Sequence, residues 1–430
     1  MAIALAKSKE ISPARLAAFS ILQQVETGAF SSGLLAAEEP RLQPADRALC
    51  HELVLGVLRW QLFLDRIVEH FSKRPVENLD PPVRIALRLG LYQLRFLTRV
   101  PGSAAVNESV SLVRAARLSS ATAFVNAVLR SAIREAEYDP VANVSDPLEQ
   151  TAVRTSHPVW LIERWENQFG LEETEAFARA NNLVPPTVFR VVKMRAKEVD
   201  VLAKLKDAGA TVEASQIVKG AWRVSGATSL LRELSAAGEI YLQDEASQLA
   251  ADVMEVFNGD LVLDLCAAPG GKTTLMADRA GGYAGIIAAD RSATRLATLA
   301  ATAQLHWFEE ILPVLLDATR PLPFPRESFD RVLVDAPCSG TGTLRANPEI
   351  RWRLDPADFE TFAEQQKKIL SRAIEVLKPG GRLVYSTCSV EREENEGVIA
   401  AVNQLRLIKT IRTWPHVQGS DGFFMSILEK

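Results

Sequence analysis

Apolar residues recur every three or four positions through the N-terminal part of the chain, which is the spacing that gathers them on one face of an α-helix. Leu16, Phe19, Leu22 and Val25 open this series. The same spacing returns at residues 49–64, 83–97, 106–118 and 122–133. No stretch before residue 139 alternates apolar and polar residues as a half-buried strand does. The pattern therefore predicts an all-helical domain over residues 1–140.

The pattern changes after a polar stretch at residues 139–150, which holds two Asp-Pro pairs and is predicted to be a linker. Helical spacing and strand-like alternation then mix. The predicted helices are 158–169, 172–182 and 199–207, and the predicted strands are 187–193, 211–214 and 222–224. Residues 151–240 are therefore expected to form a small α+β module. Asp244 is placed to cap a further helix at residues 245–257.

The rest of the chain carries five short apolar runs with the length of buried strands. Four of these runs end in an acid, namely Asp264, Asp290, Asp317 and Asp335, and the fifth leads into Cys388. Because the carboxyl ends of parallel strands meet at one edge of a sheet, these acids are expected to face one crevice. Residues 241–430 are predicted to form a seven-stranded, Rossmann-like α/β domain.

The turn after the first run reads DLCAAPGGKTT at residues 264–274. A phosphate loop would need glycine where Cys266 stands, and the dinucleotide fingerprint needs three spaced glycines where only Gly270 and Gly271 occur. The acid-x-small-x-small-x-Gly turn of S-adenosylmethionine methyltransferases fits without a gap, from Asp264 through Ala268 to Gly270. An ordinary strand-turn-helix corner would explain the small residues but not the acids downstream. The turn therefore predicts S-adenosylmethionine as the cofactor.

The acids beyond the turn are predicted to complete a nucleoside site. Asp290 follows the turn by about 20 residues, the distance at which a strand-end carboxylate accepts both hydroxyls of a ribose. Asp317 is placed to face an adenine amino group. An acid at the end of a single strand is more often simply exposed to solvent. The prediction of a nucleoside site therefore depends on all four strand-end acids occurring together.

Composition limits the remaining possibilities. At 430 residues the chain has room for two or three domains, because single cores rarely exceed about 250–300 residues. The net charge of −4 gives no overall basic character. The four cysteines form no C-x-x-C and the five histidines do not cluster, so neither disulfides nor a metal site is expected. No uncharged apolar segment approaches the roughly 18 residues that span a membrane, and a cytoplasmic protein is expected.

Positive charge is concentrated locally in the helical region. Between residues 59 and 130, eleven Lys or Arg stand against five Asp or Glu. On a helix that starts at Pro82, Arg84, Arg88, Arg95 and Arg99 would fall within an arc of about 60°. The stripe is equally consistent with a solvated helix face and with a surface that binds RNA phosphates.

Two cysteines stand just beyond predicted strand ends, Cys338 in the segment DAPCSGTG and Cys388 after the fifth run. Either alone would usually be a small buried residue. Carbon 5 of cytosine accepts a methyl group only after a nucleophile attacks carbon 6, and a thiolate suits that attack. Asp335 could hydrogen-bond the ring, and a second cysteine could assist release. The residues alone do not decide which thiol attacks.

Six motifs together resemble the Sun/Fmu (RsmB-type) family of bacterial 16S ribosomal RNA cytosine-C5 methyltransferases, over nearly the whole chain. They are QDEAS at 243–247, DLCAAPGGKT at 264–273, DAPCSGTG at 335–342, STCS at 386–389, ENE at 394–396 and DGFF at 421–424. The resemblance implies a NusB-like RNA-binding domain before the catalytic region. It implies Cys388 as the nucleophile, with Cys338 assisting release. It also implies cofactor contacts through Cys266, Ala267, Ala268, Pro269, Gly270, Gly271, Lys272, Asp290, Asp317 and Asp335.

The chain departs from that family in two loops. Residues 344–348 read LRANP where paired arginines and His-Pro are usual, and residues 305–307 read LHW in place of a glycine turn. The first change puts an RNA contact in doubt, and the second is expected to be a repacked loop. The expected partner is RNA, 16S ribosomal RNA in particular, with no DNA and no membrane, for an enzyme that acts as a monomer. Transfer RNA stays an alternative substrate, and a non-catalytic assembly factor stays an alternative function.

Overall fold

The computed structural model describes residues 11–430, and this part of the chain divides into two compact units. The first unit holds residues 11–183 together with the segment Leu344–Arg353. The second holds Val184–Thr343 and Leu354–Lys430. The domain boundaries predicted above stay predictions, and residues 1–10 of the first predicted domain lie outside the described residues.

Helices build the first unit. They are α1 (Pro13–Glu26), α2 (Ser31–Glu38), α3 (Pro44–Arg59), α4 (Gln61–Ser72), α5 (Pro81–Phe96), α6 (Gly102–Ala115), α7 (Thr122–Arg134), α8 (Pro147–Thr155), α9 (Val159–Phe169) and α10 (Leu171–Ala180). Several begin with proline, whose fixed φ suits the first turn and whose missing N–H costs nothing there. Phe19, Leu53, Leu89 and Leu129 are fully buried between them. The all-helical prediction is confirmed, although residues 49–64 span two helices that break at Trp60.

The predicted linker is wrong from Asp146 onward, because helix α8 begins there. The Asp146 carboxylate accepts a hydrogen bond from the main-chain N–H of Leu148 at 3.1 Å, and Pro147 occupies the first helical position. An Asp-Pro pair that looks like a chain breaker in sequence is thus a cap followed by a helix start.

The predicted basic stripe consists of Arg84, Arg88 and Arg95 of α5 and of Arg99, which lies beyond the end of that helix. Arg88 is only 6% exposed, and its guanidinium donates to both carboxylate oxygens of Asp65 at 2.7 and 2.8 Å. Arg84 pairs with Glu26 at 2.9 Å, and Arg95 donates to the carbonyl of Tyr138 at 3.1 Å. Arg99 is exposed. Arg84 and Arg88 therefore join α5 to α1 and α4, and Arg95 joins it to the segment after α7, so these three form neither a solvated face nor a row of free cations.

A small α+β module opens the second unit. Its antiparallel sheet has the strand order β2-β3-β1-β4. The elements are β1 (Thr187–Val191), α11 (Glu198–Asp207), β2 (Thr211–Ala214), β3 (Ala221–Ser225), α12 (Thr228–Ala236) and β4 (Ile240–Leu242). Phe189, Val201, Leu205 and Ile240 are fully buried between the sheet and its helices. The module confirms the mixed pattern, but α12 and β4 were not predicted.

A seven-stranded mixed sheet with the order β10-β11-β9-β8-β5-β6-β7 forms the rest of the second unit. Its strands are β5 (Leu261–Leu265), β6 (Gly285–Asp290), β7 (Ile311–Leu315), β8 (Phe329–Asp335), β9 (Leu377–Thr387), β10 (Arg406–Thr413) and β11 (Phe423–Glu429). The helices are α13 (Glu245–Asp252), α14 (Gly271–Arg279), α15 (Ala293–Leu305), α16 (Asp358–Val376) and α17 (Glu396–Ile399). Strands β5 to β9 pair in parallel, and β11 runs antiparallel to β9 and β10. The Rossmann-like prediction is confirmed.

The sheet order brings the strand-end residues together. From β5 the chain winds outward through β6 and β7 on one side, and through β8 and β9 on the other. The winding reverses at β5, and ligands of open α/β sheets bind at such a reversal, outside the carboxyl ends of the strands. Asp290 and Asp335 end β6 and β8 at this edge, on the two sides of β5.

Candidate active site

The turn between β5 and α14, residues 266–272, is called the cofactor turn below. The main-chain N–H of Ala267 donates to the carbonyl of Ala289 at 2.8 Å, which ties the turn to β6. Gly270 has φ +102° and lies just before α14, and a Cβ there would come within 2.9 Å of Leu299. Both the left-handed backbone and the close helix therefore require glycine at this position.

Asp264, in β5, is fully buried beneath the turn. Thr273 donates its hydroxyl to Oδ2 at 2.7 Å, whereas Oδ1 is buried without a hydrogen-bond partner. Burial raises the pKa of Asp264 to about 7. An unpaired buried acceptor is costly, so this oxygen is suited to a ligand's N–H or O–H group.

Asp290 braces the cofactor turn. Its Oδ2 accepts from the N–H of Ala268 at 3.2 Å, and its Oδ1 accepts from the N–H of Ser292 at 2.8 Å. Arg295, from α15, approaches Oδ2 to 3.8 Å and also donates to the carbonyl of Ala268. The carboxylate is thus fixed in direction at the end of β6.

Asp317 is held more loosely than the other strand-end acids. It follows β7, its side chain is 42% exposed, and its Oδ1 accepts from the N–H and hydroxyl of Thr319 at 3.0 and 2.7 Å. These hydrogen bonds lower the pKa of Asp317. Its Oδ2 has Arg320 at 3.5 Å, so it is ionised and partly open to solvent.

A cavity of about 240 Å³ opens at this edge of the sheet. The predicted site residues that line it are Cys266, Ala268, Asp290, Asp317, Asp335, Cys338 and Cys388. The other predicted cofactor residues, Ala267, Pro269, Gly270, Gly271 and Lys272, belong to the turn that shapes this edge. The structure thus gathers residues that lie far apart in sequence, and their individual roles stay predictions.

Asp335 ends β8 and is held from two sides. Lys272 donates to its Oδ2 at 2.7 Å, and the hydroxyl of Ser386 donates to its Oδ1 at 2.8 Å. Burial opposes the charge on Lys272, but Asp335 and the sulfur of Cys388 raise the pKa of Lys272 on balance. Lys272, predicted only as a cofactor contact, is therefore also the partner of Asp335.

Cys338 and Cys388, called the thiol pair below, have their Sγ atoms 3.2 Å apart. Cys338 follows the end of β8 and Cys388 follows the end of the neighbouring strand β9. Main-chain hydrogen bonds join the two segments, from the N–H of Gly342 to the carbonyl of Cys388 at 2.9 Å and from Ala336 to Ser386 at 2.8 Å. Parallel pairing of the strands thus brings both thiols to one point.

The cysteines differ in their electrostatic surroundings. The hydrogen bond to Cys388, burial, and the charges of Cys388 and Glu394 together raise the pKa of Cys338 well above its usual value. Burial raises the pKa of Cys266 to about 12, and that of Cys50 likewise to about 12. Cys50, Cys266 and Cys338 are therefore held as neutral thiols.

Three known protein families match successive parts of the chain. Residues 251–429 match the family described as 16S rRNA methyltransferase RsmB/F, residues 12–134 match the NusB family, and residues 157–230 match the ferredoxin-like domain of RsmF/B-like methyltransferases. A Bacillus subtilis protein named "Probable ribosomal RNA small subunit methyltransferase B" is 32% identical over 98% of this chain and 99% of its own length. The chain belongs to the RsmB/F family.

Two further relatives extend the match. "Ribosomal RNA small subunit methyltransferase B" of Pseudomonas putida is 36% identical over 90% of this RsmB/F-family chain and 88% of its own length. The crystal structure of PH0851 superposes with a TM-score of 0.84 at 28% identity, covering 99% of this chain and 100% of that one. The chain is therefore an S-adenosylmethionine-dependent ribosomal RNA methyltransferase with a NusB-type domain.

The residues at the sheet edge fit the cofactor that the RsmB/F family uses. The buried, unpaired Oδ1 of Asp264 can accept a hydrogen bond, and Asp290 presents a fixed carboxylate. No group of three or more His, Cys, Asp and Glu within residues 11–430 is arranged to hold a metal ion. In the same range, no helix has the length and apolar character of a membrane span.

Several residues of the RsmB/F-family site were not predicted from sequence. They are Arg295, Ser386 and Glu394, each bonded to a predicted site residue or to a neighbour of one. Ser386 and Glu394 stood in the recognised motifs STCS and ENE, so the motifs were the available signal. Arg295 stood in no recognised motif, and its partners Ala268 and Asp290 come from other parts of the chain.

Of the two loops that depart from the family, the first is largely buried, whereas the second is buried only at His306. Arg345 is 3% exposed within the first unit, so its side chain is not open to RNA. His306 is buried edge-on to Tyr241, with ring centroids 5.6 Å apart. Trp307 is 60% exposed, with the guanidinium of Arg195 3.7 Å from its ring centroid.

Proposed function

We propose that this RsmB/F-family enzyme methylates carbon 5 of a specific cytosine in 16S ribosomal RNA through a covalent bond to Cys388. The observation that best supports the proposal is the thiol pair, 3.2 Å apart at the ends of adjacent strands, beside Asp335. A binding protein without catalytic activity would need neither thiol at this edge.

Cys388 is the proposed nucleophile. Its thiolate adds to carbon 6 of the cytosine, and the electrons of the 5,6 double bond make carbon 5 nucleophilic. The charge of this sulfur is one of the causes that raise the pKa of Lys272, so the Lys272 ammonium lies within electrostatic reach of Cys388. Cys338, held as a neutral thiol, can donate its S–H to that thiolate across 3.2 Å.

Asp335 is proposed to hold the cytosine ring. N3 takes a proton from solvent as the thiolate adds and returns it when the carbon 6–sulfur bond breaks. The Asp335 carboxylate accepts from the exocyclic amino group and from this N3–H, which stabilises the enamine that forms on addition. Lys272 and Ser386 fix both oxygens, so the carboxylate does not reorient during the reaction.

S-adenosylmethionine, when bound, supplies the methyl group that carbon 5 takes. The cofactor turn, Cys266 to Lys272, would form one wall of its site. Asp290 would accept from the ribose hydroxyls, Asp317 would accept from the adenine amino group, and Oδ1 of Asp264 is free to accept from the methionine ammonium.

Cys338 is proposed to assist release. Once Cys388 is bonded to carbon 6, its sulfur no longer forms the hydrogen bond or carries the charge that raise the Cys338 pKa, so Cys338 can lose its proton to solvent. The Cys338 thiolate then takes the proton from carbon 5, the carbon 6–sulfur bond breaks, and Cys388 leaves as a thiolate. One proton reaches solvent for each methyl group transferred.

The substrate is proposed to be 16S ribosomal RNA, because the relatives above are named for the small ribosomal subunit. The NusB-type unit would bind that RNA, and the enzyme would act as a monomer in the cytoplasm.

Bisulfite sequencing of total RNA tests the substrate. Cells lacking the protein are compared with cells that carry the wild type or Cys388→Ala. We expect one cytosine of 16S RNA to be protected only by the wild type. Protection of a transfer RNA cytosine, or equal patterns in all three strains, would contradict the proposal.

A further inference from the structure

Glu394 lies between the two segments that carry the thiol pair. It is fully buried, and its Oε2 accepts from the main-chain N–H of Ser339 at 2.8 Å. Its Oε1 accepts from the hydroxyl of Ser389 at 2.6 Å and from the hydroxyl of Ser339. Ser339 directly follows Cys338, and Ser389 directly follows Cys388. One carboxylate therefore bonds the neighbours of both thiols.

The neighbours of Glu394 fix its position in turn. Gln366, from α16, donates to Oε2 at 3.0 Å and to the carbonyl of Pro337 at 2.9 Å. The hydroxyl of Tyr385 donates to the main-chain carbonyl of Glu394 at 2.6 Å, and Asn395 donates to the carbonyl of Ser389 at 2.9 Å. The main chain of Glu394 is thus held by β9, and its carboxylate is held by α16.

The charge of Glu394 also distinguishes the two thiols. Burial raises the pKa of Glu394, whereas its hydrogen-bond donors oppose that rise. Every group that bonds to the Glu394 carboxylate donates, which is the arrangement an ionised carboxylate needs. Its negative charge is one of the causes that raise the pKa of Cys338, and Lys272 places a positive charge toward Cys388.

We infer that Glu394 is a positioning residue that sets the separation of the two thiols by bonding Ser339 and Ser389 at once. The inference rests on the proposed function, in which both thiols must reach one cytosine ring. Glu394 does not line the cavity at the sheet edge, so its loss should spare cofactor binding. A merely structural role would instead lower stability and cofactor affinity together.

The separation of the thiols can be measured without catalysis. Diamide takes two electrons and two protons from a pair of thiols and leaves a disulfide, and its second step is fast only when the sulfurs lie close together. The rate of Cys338–Cys388 cross-linking, followed by peptide mass spectrometry, is compared for the full-length wild type, Glu394→Ala and Glu394→Gln. Glu396→Gln is the matched control, because Glu396 belongs to the same motif but is exposed and paired with Arg412.

We expect Glu394→Ala to cross-link more slowly than the wild type and to lose about a hundredfold in kcat, since a displacement of about 1 Å costs about that much. The KM for RNA and the Kd for S-adenosylmethionine should change little. Glu394→Gln keeps the shape of the side chain and one acceptor oxygen, so it should recover part of the cross-linking rate and part of kcat. The control should match the wild type. If Glu394→Ala does not fold, as shown by loss of cofactor binding, Ser339→Ala removes only one hydroxyl and should show the same changes more weakly.

The cross-linking and adduct experiments test the positioning role of Glu394 and the covalent mechanism separately. Unchanged cross-linking in a folded Glu394→Ala protein would overturn the positioning role, whatever its activity. Slower cross-linking in Glu394→Ala, together with a Cys338→Ala variant that never traps an RNA adduct, would leave the positioning role standing and remove the covalent mechanism.

Discussion

Each strand-end aspartate of the site is held differently by its neighbours. Asp264 is buried with one free oxygen, Asp290 is fixed by two main-chain N–H groups, and Asp335 is paired with Lys272. The sequence pattern predicted where these acids would meet, because strand ends share an edge. It could not predict their burial or partners, since these depend on residues from other strands and helices.

Asp290→Ala is expected to weaken S-adenosylmethionine binding about ten- to a hundredfold, because hydrogen bonds to a charged group contribute about 1.5–3 kcal/mol each. Calorimetry measures the affinity, and Asp207→Ala, at an exposed position of α11, is the control. Equal affinities for both variants would remove the assignment of Asp290 to the ribose.

Because of Asp264, the free energy of unfolding is expected to decrease as the pH rises. Its pKa is about 7 in the folded chain against an ordinary 3.8, so between these values the folded state holds a proton that the unfolded state has lost. The free energy of unfolding therefore decreases with pH in this window, by at most about 1.4 kcal/mol per unit, and the effect levels off above it.

Asp264→Asn cannot titrate, so its stability should fall less steeply than that of the wild type over the same window. Urea unfolding of the cofactor-free proteins at a series of pH values measures the difference. Parallel curves for the two proteins would show that Asp264 is ionised throughout.

At the scale of helices and strands, periodicity showed which residues share a face but not what packs against that face. The arginines of α5 share one arc as predicted, yet Asp65 of α4 and Glu26 of α1 lie against Arg88 and bury it. The break at Trp60 was missed for a similar reason, because helical spacing continues across it. Long periodic segments were predicted well, and their ends and partners were not.

Arg88→Gln is expected to lower the free energy of unfolding by about 3–5 kcal/mol, because it leaves the Asp65 carboxylate buried without its partner. Arg99→Gln, at an exposed position of the same chain region, should change it by no more than about 0.5 kcal/mol. Chemical denaturation compares the two. If both variants changed the free energy of unfolding by the same small amount, the Arg88–Asp65 ion pair would not stabilise the fold. Binding of RNA phosphates by α5 would then again be an explanation for its arginines.

At the scale of the whole molecule, the sequence predicted three successive domains, whereas the first unit also takes Leu344–Arg353 from between two strands of the second. Arg351 anchors this segment: it is fully buried and donates to the carbonyl of Ser156 at 3.1 Å and to Asn182 at 3.0 Å. The sequence pattern could not predict that this segment belongs to the first unit, because short irregular segments have no periodicity. The motifs around it nevertheless identified the family and the cofactor.

The covalent role of the thiol pair is the central claim, and trapping the RNA adduct tests it most directly. Unmodified 16S RNA and S-adenosylmethionine are mixed with Cys388→Ala, with Cys338→Ala and with the double variant, and adducts are sought by denaturing electrophoresis. Cys388→Ala should be inactive and form no adduct, because carbon 6 is not attacked.

Cys338→Ala should attack and methylate but fail to release, so RNA stays attached to protein, and the double variant should trap nothing. An adduct with Cys388→Ala but not with Cys338→Ala would reverse the two roles. Methylation that survives loss of both thiols would contradict the covalent mechanism.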